Sequence, residues 1–225
     1  MSFFKPQQPI LQLKRLSLSD EQLQLMKCRQ FKSPWFLPLC GLYTCIDQSM
    51  VVWGVICGVI FVSAHLFPLS WLNQAIIWTI LTVVGAGITL VLTYGWSKVE
   101  GLRWLLCAWL ILMVGGVCAT DFAILLHWGW LLLNLCSFWL ILSSIGYLLT
   151  GFALHSRAFF LACFIHLGAI FFLSVVSPWQ FLFTGIVMMS NLFIFAEGHW
   201  DMILPQSKND HDHSLIVAEK VFLIE

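Results

Sequence analysis

Three groups of polar residues interrupt this apolar chain, and each has the side chains for a different chemistry. Glu197, His199 and Asp201 occur as EGHWD, an acid-x-His-x-acid run. An imidazole between carboxylates suits general-base work, with the acids orienting the ring or holding a cation. His155 and Arg157 form a second short polar stretch on the same predicted face. The five together would suit an enzyme acting on lipid headgroups. The competing reading is that helix ends gather polar groups where they meet water. No HExxH, GxSxG or multi-histidine box accompanies the cluster, so the expectation is a protein that is not an enzyme.

Asp121 is the sharpest polar anomaly. It follows Arg103 by eighteen residues, about 27 Å along a helix. Acids within spans are costly and usually face the bundle interior or a wet cavity. His65, Asn73, Gln74, His127 and Asn134 are expected at similar depth. Asp121 and His127 would make an ion pair, with the amides lining an outer vestibule. Against this stands the simpler expectation that all six are hydrated at the interface.

His166 and Asn191 form a third candidate group, both approaching mid-depth on neighbouring helices. His166 lies about 13 Å past Arg157, and Asn191 about 18 Å past Trp179. A hydrogen bond between them would stabilise packing by about 0.6–2 kcal/mol. A haem or pigment, the one cofactor class left open, would instead need the imidazole to face a flat cleft lined by small residues.

The eight cysteines contain no CxxC, and no metal site is expected from their spacing. Cys57, Cys107, Cys118, Cys136 and Cys163 fall inside predicted spans, where a thiol behaves as a small apolar side chain. NDHDH (209–213) reads as a solvated polar patch.

The elements that must position these residues follow from composition. The chain is 60% hydrophobic and 10% charged, with mean hydropathy +0.90. Soluble domains carry about 25% charged residues, so a bilayer is the expected solvent. Six spans are predicted at 49–67, 71–96, 102–126, 129–153, 158–176 and 179–197, forming an antiparallel all-α bundle. With that threading every lysine and arginine falls on one side: Lys5, Lys14, Arg15, Lys27, Arg29, Lys32, Lys98, Arg103, Arg157, Lys208 and Lys220. Both termini are then cytoplasmic, in the cytoplasmic membrane if the cell is prokaryotic. Nine of the twelve tryptophans fall near a predicted boundary, among them Trp53, Trp128, Trp130 and Trp179, at the headgroup level that indole prefers.

Residues 1–48 read as a cytoplasmic tail with a surface helix at 19–32 and an elbow at 34–46. Pro34, Pro38 and Gly41 break the elbow, and it is too short to span. No secretory signal opens the chain, so the first span is expected to act as its own insertion signal. Residues 198–225 form a second tail, too short for a core of its own.

Gly54 and Gly58 make a GxxxG in the first span, and Gly85, Gly87, Gly115 and Gly116 thin the next two. Helices one to three are therefore expected to be the tightly packed half. No lysine lies within a span, no arginine ladder occurs, and proline is absent from the span interiors. These absences disfavour a retinal Schiff base, a voltage sensor and a broken-helix transporter.

The predicted connections are short, so activity must reside in the bundle, on its lipid-facing sides or in the tails. The expected partners are the lipid bilayer, other membrane proteins or further copies of the chain, and not nucleic acid. The leading expectation is a multi-pass protein that works by contact, as an accessory, assembly or scaffolding subunit. The alternative is a small-solute channel or carrier with its outer mouth at Asp121. Lipid-headgroup chemistry and cofactor binding stand behind both.

Overall fold

The computed structural model describes residues 9–13, 44–67 and 69–201. The expected surface helix at 19–32, most of the elbow and the NDHDH patch lie outside the described residues. Seven α-helices occur within them: α1 (Cys45–Leu66), α2 (Trp71–Val99), α3 (Arg103–Leu125), α4 (Gly129–Leu133), α5 (Leu135–Leu154), α6 (Arg157–Phe172) and α7 (Gln180–Glu197). Two short strands, β1 (Leu11–Leu13) and β2 (Gly198–Trp200), pair antiparallel, with Gln12 opposite His199.

Five of these segments are long and apolar enough to cross a membrane: α1, α2, α3, α5, and α7 with the turn before it. This is the pattern of a multi-pass membrane protein. Large apolar side chains face outward, Phe171 at 81% exposed and Ile111 at 71%.

The observed boundaries differ from the expected ones for local reasons. α1 begins at Cys45 rather than 49, because Thr44 and Asp47 close a capping box. The Asp47 amide donates to Thr44 Oγ1 (3.3 Å), and the Thr44 amide donates to Asp47 Oδ2 (2.7 Å). The expected helix 129–153 is divided at Asn134, whose side-chain amide donates to the Trp130 carbonyl at 2.8 Å. A side chain competing for a backbone carbonyl in this way disturbs the helix locally.

α6 stops at Phe172 rather than 176, and its sixteen residues reach only about 24 Å. Turn residues 173–176 follow, and then a 3-10 turn that holds Pro178. Gln180 Nε2 donates to the Leu173 carbonyl at 3.2 Å across this break.

Neighbouring helices pack in sequence around the bundle, and α7 closes it against α1, which is the most extensive interface. Gly54 and Gly58 face α7, not the second and third helices. A Cβ on Gly54 would lie 2.8 Å from the Phe193 ring, and one on Gly58 would lie 2.8 Å from Met189 Sδ. Gly85 of α2 does meet α1, an added Cβ lying 2.6 Å from Ile56 Cδ1, and the α1–α7 seam is a close contact that the expectation for helices one to three did not include. The cause is complementary relief: α7 supplies large side chains where α1 has none, and van der Waals packing drives such association in lipid.

Candidate functional site

The bundle's polar residues separate into four places. At the end where α6 begins, Asp201 is drawn inward by β2 and is 4% exposed. Its carboxylate accepts from four donors: Ser156 Oγ (3.1 Å), Arg157 Nε (2.6 Å) and the backbone amides of Arg157 (3.3 Å) and Ala158 (3.2 Å). The first amides of a helix lack intrahelical partners. The residue before α6, Ser156, makes no side-chain cap of its own, so Asp201 caps the helix from across the fold. A carboxylate there also meets the positive end of the helix dipole.

The Asp201 amide donates to the Ile10 carbonyl at 3.3 Å. Trp200 packs edge-on against Phe159, with ring centroids 5.4 Å apart. One residue thus joins the β1 segment, the end of α7 and the start of α6. Of the expected inner cluster, the structure brings Arg157 and Asp201 together. Glu197 is exposed, and nothing is described of the His199 side chain.

His155 has a different task. Its φ of 49° is left-handed, and the Ser156 amide behind it donates to the Gly151 carbonyl at 3.1 Å. That is the helix-ending arrangement in which glycine is most common. His127, at φ 52°, ends α3 in the same way, with the Trp128 amide donating to the Ala123 carbonyl at 2.8 Å.

At the opposite end the outer cluster does not assemble. Asp121 accepts from Thr79 Oγ1 at 2.6 Å, across the α2–α3 interface. Its other oxygen, Oδ1, is buried without a partner among the described residues. His127 is exposed at its helix end. The His65 ring lies against Trp179, centroids 4.7 Å apart. Asn73 is exposed, its backbone amide taken by the Ser70 hydroxyl. Gln74 donates to the Leu69 carbonyl (3.1 Å), and Asn134 to that of Trp130 (2.8 Å). The expected Asp121–His127 ion pair is replaced by Asp121–Thr79, because the left-handed turn carries His127 out to the surface.

Between the ends, His166 is fully buried on α6 and meets Asn191 of α7. Its Nδ1 lies 3.2 Å from Asn191 Nδ2 and 2.9 Å from the Ala162 carbonyl. A proton on Nδ1 serves the carbonyl; a proton on Nε2 leaves Nδ1 to accept from the amide. The Tyr147 ring sits 4.9 Å away, and Phe159 and Phe195 stack at 4.7 Å beside it. These rings surround the imidazole, and its Nε2 is buried without a partner among the described residues.

The fourth place was missed from the sequence. Ser49, Trp53 and Thr89 join α1 to α2: Trp53 Nε1 donates to Thr89 Oγ1 at 2.8 Å, and the two hydroxyls are 3.0 Å apart. Trp53 is thus a packing and hydrogen-bonding residue. α1 begins early enough to place it two turns inside the helix. Likewise Trp109 Nε1 donates to Thr150 Oγ1 at 2.9 Å, between α3 and α5. Threonines inside apolar runs were the available signal. Ser156, directly before Arg157, carried none beyond its place at a helix start.

No protein-family model matches the chain, and neither does any curated protein or solved structure.

Proposed function

We propose that this chain is a six-span membrane protein, with neighbouring spans antiparallel and both termini in the cytoplasm. In this reading it works by contact, as an accessory, assembly or scaffolding subunit. α6 is the fifth span, shorter than the rest and completed by the turns that follow it. The contact register supports the antiparallel course. Along α1 from Gly54 to Gly58, the α7 partner falls from Phe193 to Met189. The same reversal relates α6 to α7, where Phe159 meets Phe195 and His166 meets Asn191. The collected lysines and arginines support the orientation.

The observation that carries the functional reading is the separation of the polar pairs. Asp121–Thr79 occupies the α2–α3 interface and His166–Asn191 the α6–α7 interface. Neither pair lines the cavity at the centre of the bundle, which is walled by residues such as Trp53, Phe61 and Trp139. A carrier needs its polar groups along one path, and these lie on different helix pairs. The apolar exterior, by contrast, suits lipid and other membrane helices.

Crosslinking in native membranes, followed by identification of the attached proteins, tests the reading. Reproducible capture of one integral-membrane partner, lost when exposed α2 or α3 positions become leucine-to-asparagine variants, is expected. Solute flux through the purified chain in vesicles, abolished by Asp121→Asn, would overturn it. Orientation is checked separately: a cysteine at position 98 should be labelled only from the cytoplasmic side.

A further inference from the structure

Three sulfur-bearing residues, from helices far apart in sequence, line the central cavity. Cys57 of α1, Met113 of α3 and Met188 of α7 all line it, and each is at least nine-tenths buried. Cys57 is a free thiol. Each lies near the middle of its helix, about 18 Å from Cys45, 15 Å from Arg103 and 12 Å from Gln180 respectively. Trp53, Trp78 and Trp139 supply the aromatic walls.

The cavity measures about 20 Å³. That is room for one small ion or a water-sized group, and it excludes organic solutes. Thiolate and thioether ligands select soft ions, Cu(I) foremost, over the harder divalent metals. Charge favours the same class. A univalent ion on one thiolate is neutral overall, and the thioethers add ligation without charge, so the assembly avoids the cost of burying a net charge.

We propose that Cys57, Met113 and Met188 form a binding site for a soft univalent metal ion of the Cu(I) class. On binding, the Cys57 S–H bond breaks, a sulfur–metal bond forms, and the proton leaves to bulk water. The metal arrives and stays univalent, so no electron is exchanged. This goes beyond the contact function and does not depend on it.

The test uses the full chain in detergent micelles, its accessible thiols such as Cys107 and Cys118 first alkylated, and Ag(I), a redox-inert probe of the same class. Bound metal is measured after dialysis against excess free methionine. One Ag(I) retained per chain is expected. Cys57→Ala, and separately Met113→Leu with Met188→Leu, should each weaken retention by about tenfold or more, since even residues behind the ligands commonly cost 10–100-fold. Retention unchanged in the leucine pair assigns the metal to thiols elsewhere and overturns the proposal, as does no retention by the parent chain. Should the leucine pair fail to fold, X-ray absorption at the silver edge decides on the parent protein. A shell of one thiolate with two thioethers is expected, and a two-thiolate shell or nitrogen and oxygen ligands refute it.

Discussion

The two ends of the bundle handle polar residues in opposite ways. At the Arg157 end, one buried carboxylate collects a guanidinium, a hydroxyl and two backbone amides from another part of the chain. At the Asp121 end, Gln74 and Asn134 turn back to carbonyls within five residues, and His65 lies on a tryptophan. The difference is one of supply. The start of α6 exposes amides that no neighbouring residue caps, so a distant acid is held there. The far end has local carbonyls in reach of its amide side chains, and these residues stay apart even though Asp121 Oδ1 is left without a partner among the described residues. Polar types at similar depth are therefore no guide to a shared site by themselves.

Asp201→Ala should break this contrast most severely. It removes one acceptor from Arg157 and leaves two helix-end amides without theirs, and loss of one partner from a buried pair costs about 3–5 kcal/mol. Chemical denaturation in micelles should show that loss, and the β1 segment should become more susceptible to proteolysis. A change under about 1 kcal/mol would mean that the end of α6 is capped as well by water, in the ordinary range for an exposed pair.

Gly58→Leu comes next, because the added side chain meets Met189 in the α1–α7 seam. Overpacking of this kind costs about 1–3 kcal/mol. Gly87→Leu, where an added Cβ meets nothing within 4 Å, is the paired control and should leave the denaturation midpoint in place.

A double-mutant cycle of His166→Leu and Asn191→Leu should return a coupling of about 0.6–2 kcal/mol, the range for interhelical hydrogen bonds in lipid. Additive effects would show that the imidazole is held by Ala162 alone.

The smallest effect belongs to Asp121→Asn. The new amide keeps an oxygen for the Thr79 hydroxyl, so stability should move by less than about 1 kcal/mol. A loss comparable to that of Asp201→Ala would show that the ends are less different than their hydrogen bonds indicate.

Much of the frame was legible in the sequence because it rests on sums over many residues. Apolar runs of spanning length and short polar reversals each depend on composition along a window, not on any single contact. The His166–Asn191 neighbourhood was legible as well, since helix rise alone brings both near mid-depth. The Asp121–His127 pairing was not, because one left-handed residue at the end of α3 redirects the imidazole. The direction in which Gly54 and Gly58 face was hidden too, since a GxxxG names no partner.

The sequence by itself determined the solvent in which this chain folds, because apolar length and scarce charge leave the backbone nowhere to satisfy itself but in helices. Only the tertiary structure decided which residues share a site. Asp201 reaches Ser156 and Arg157, and Cys57, Met113 and Met188 share one cavity, through the order in which the helices close upon one another. That closure depends on shape matching across the α1–α7 seam, a relation between two distant segments that no local spacing records.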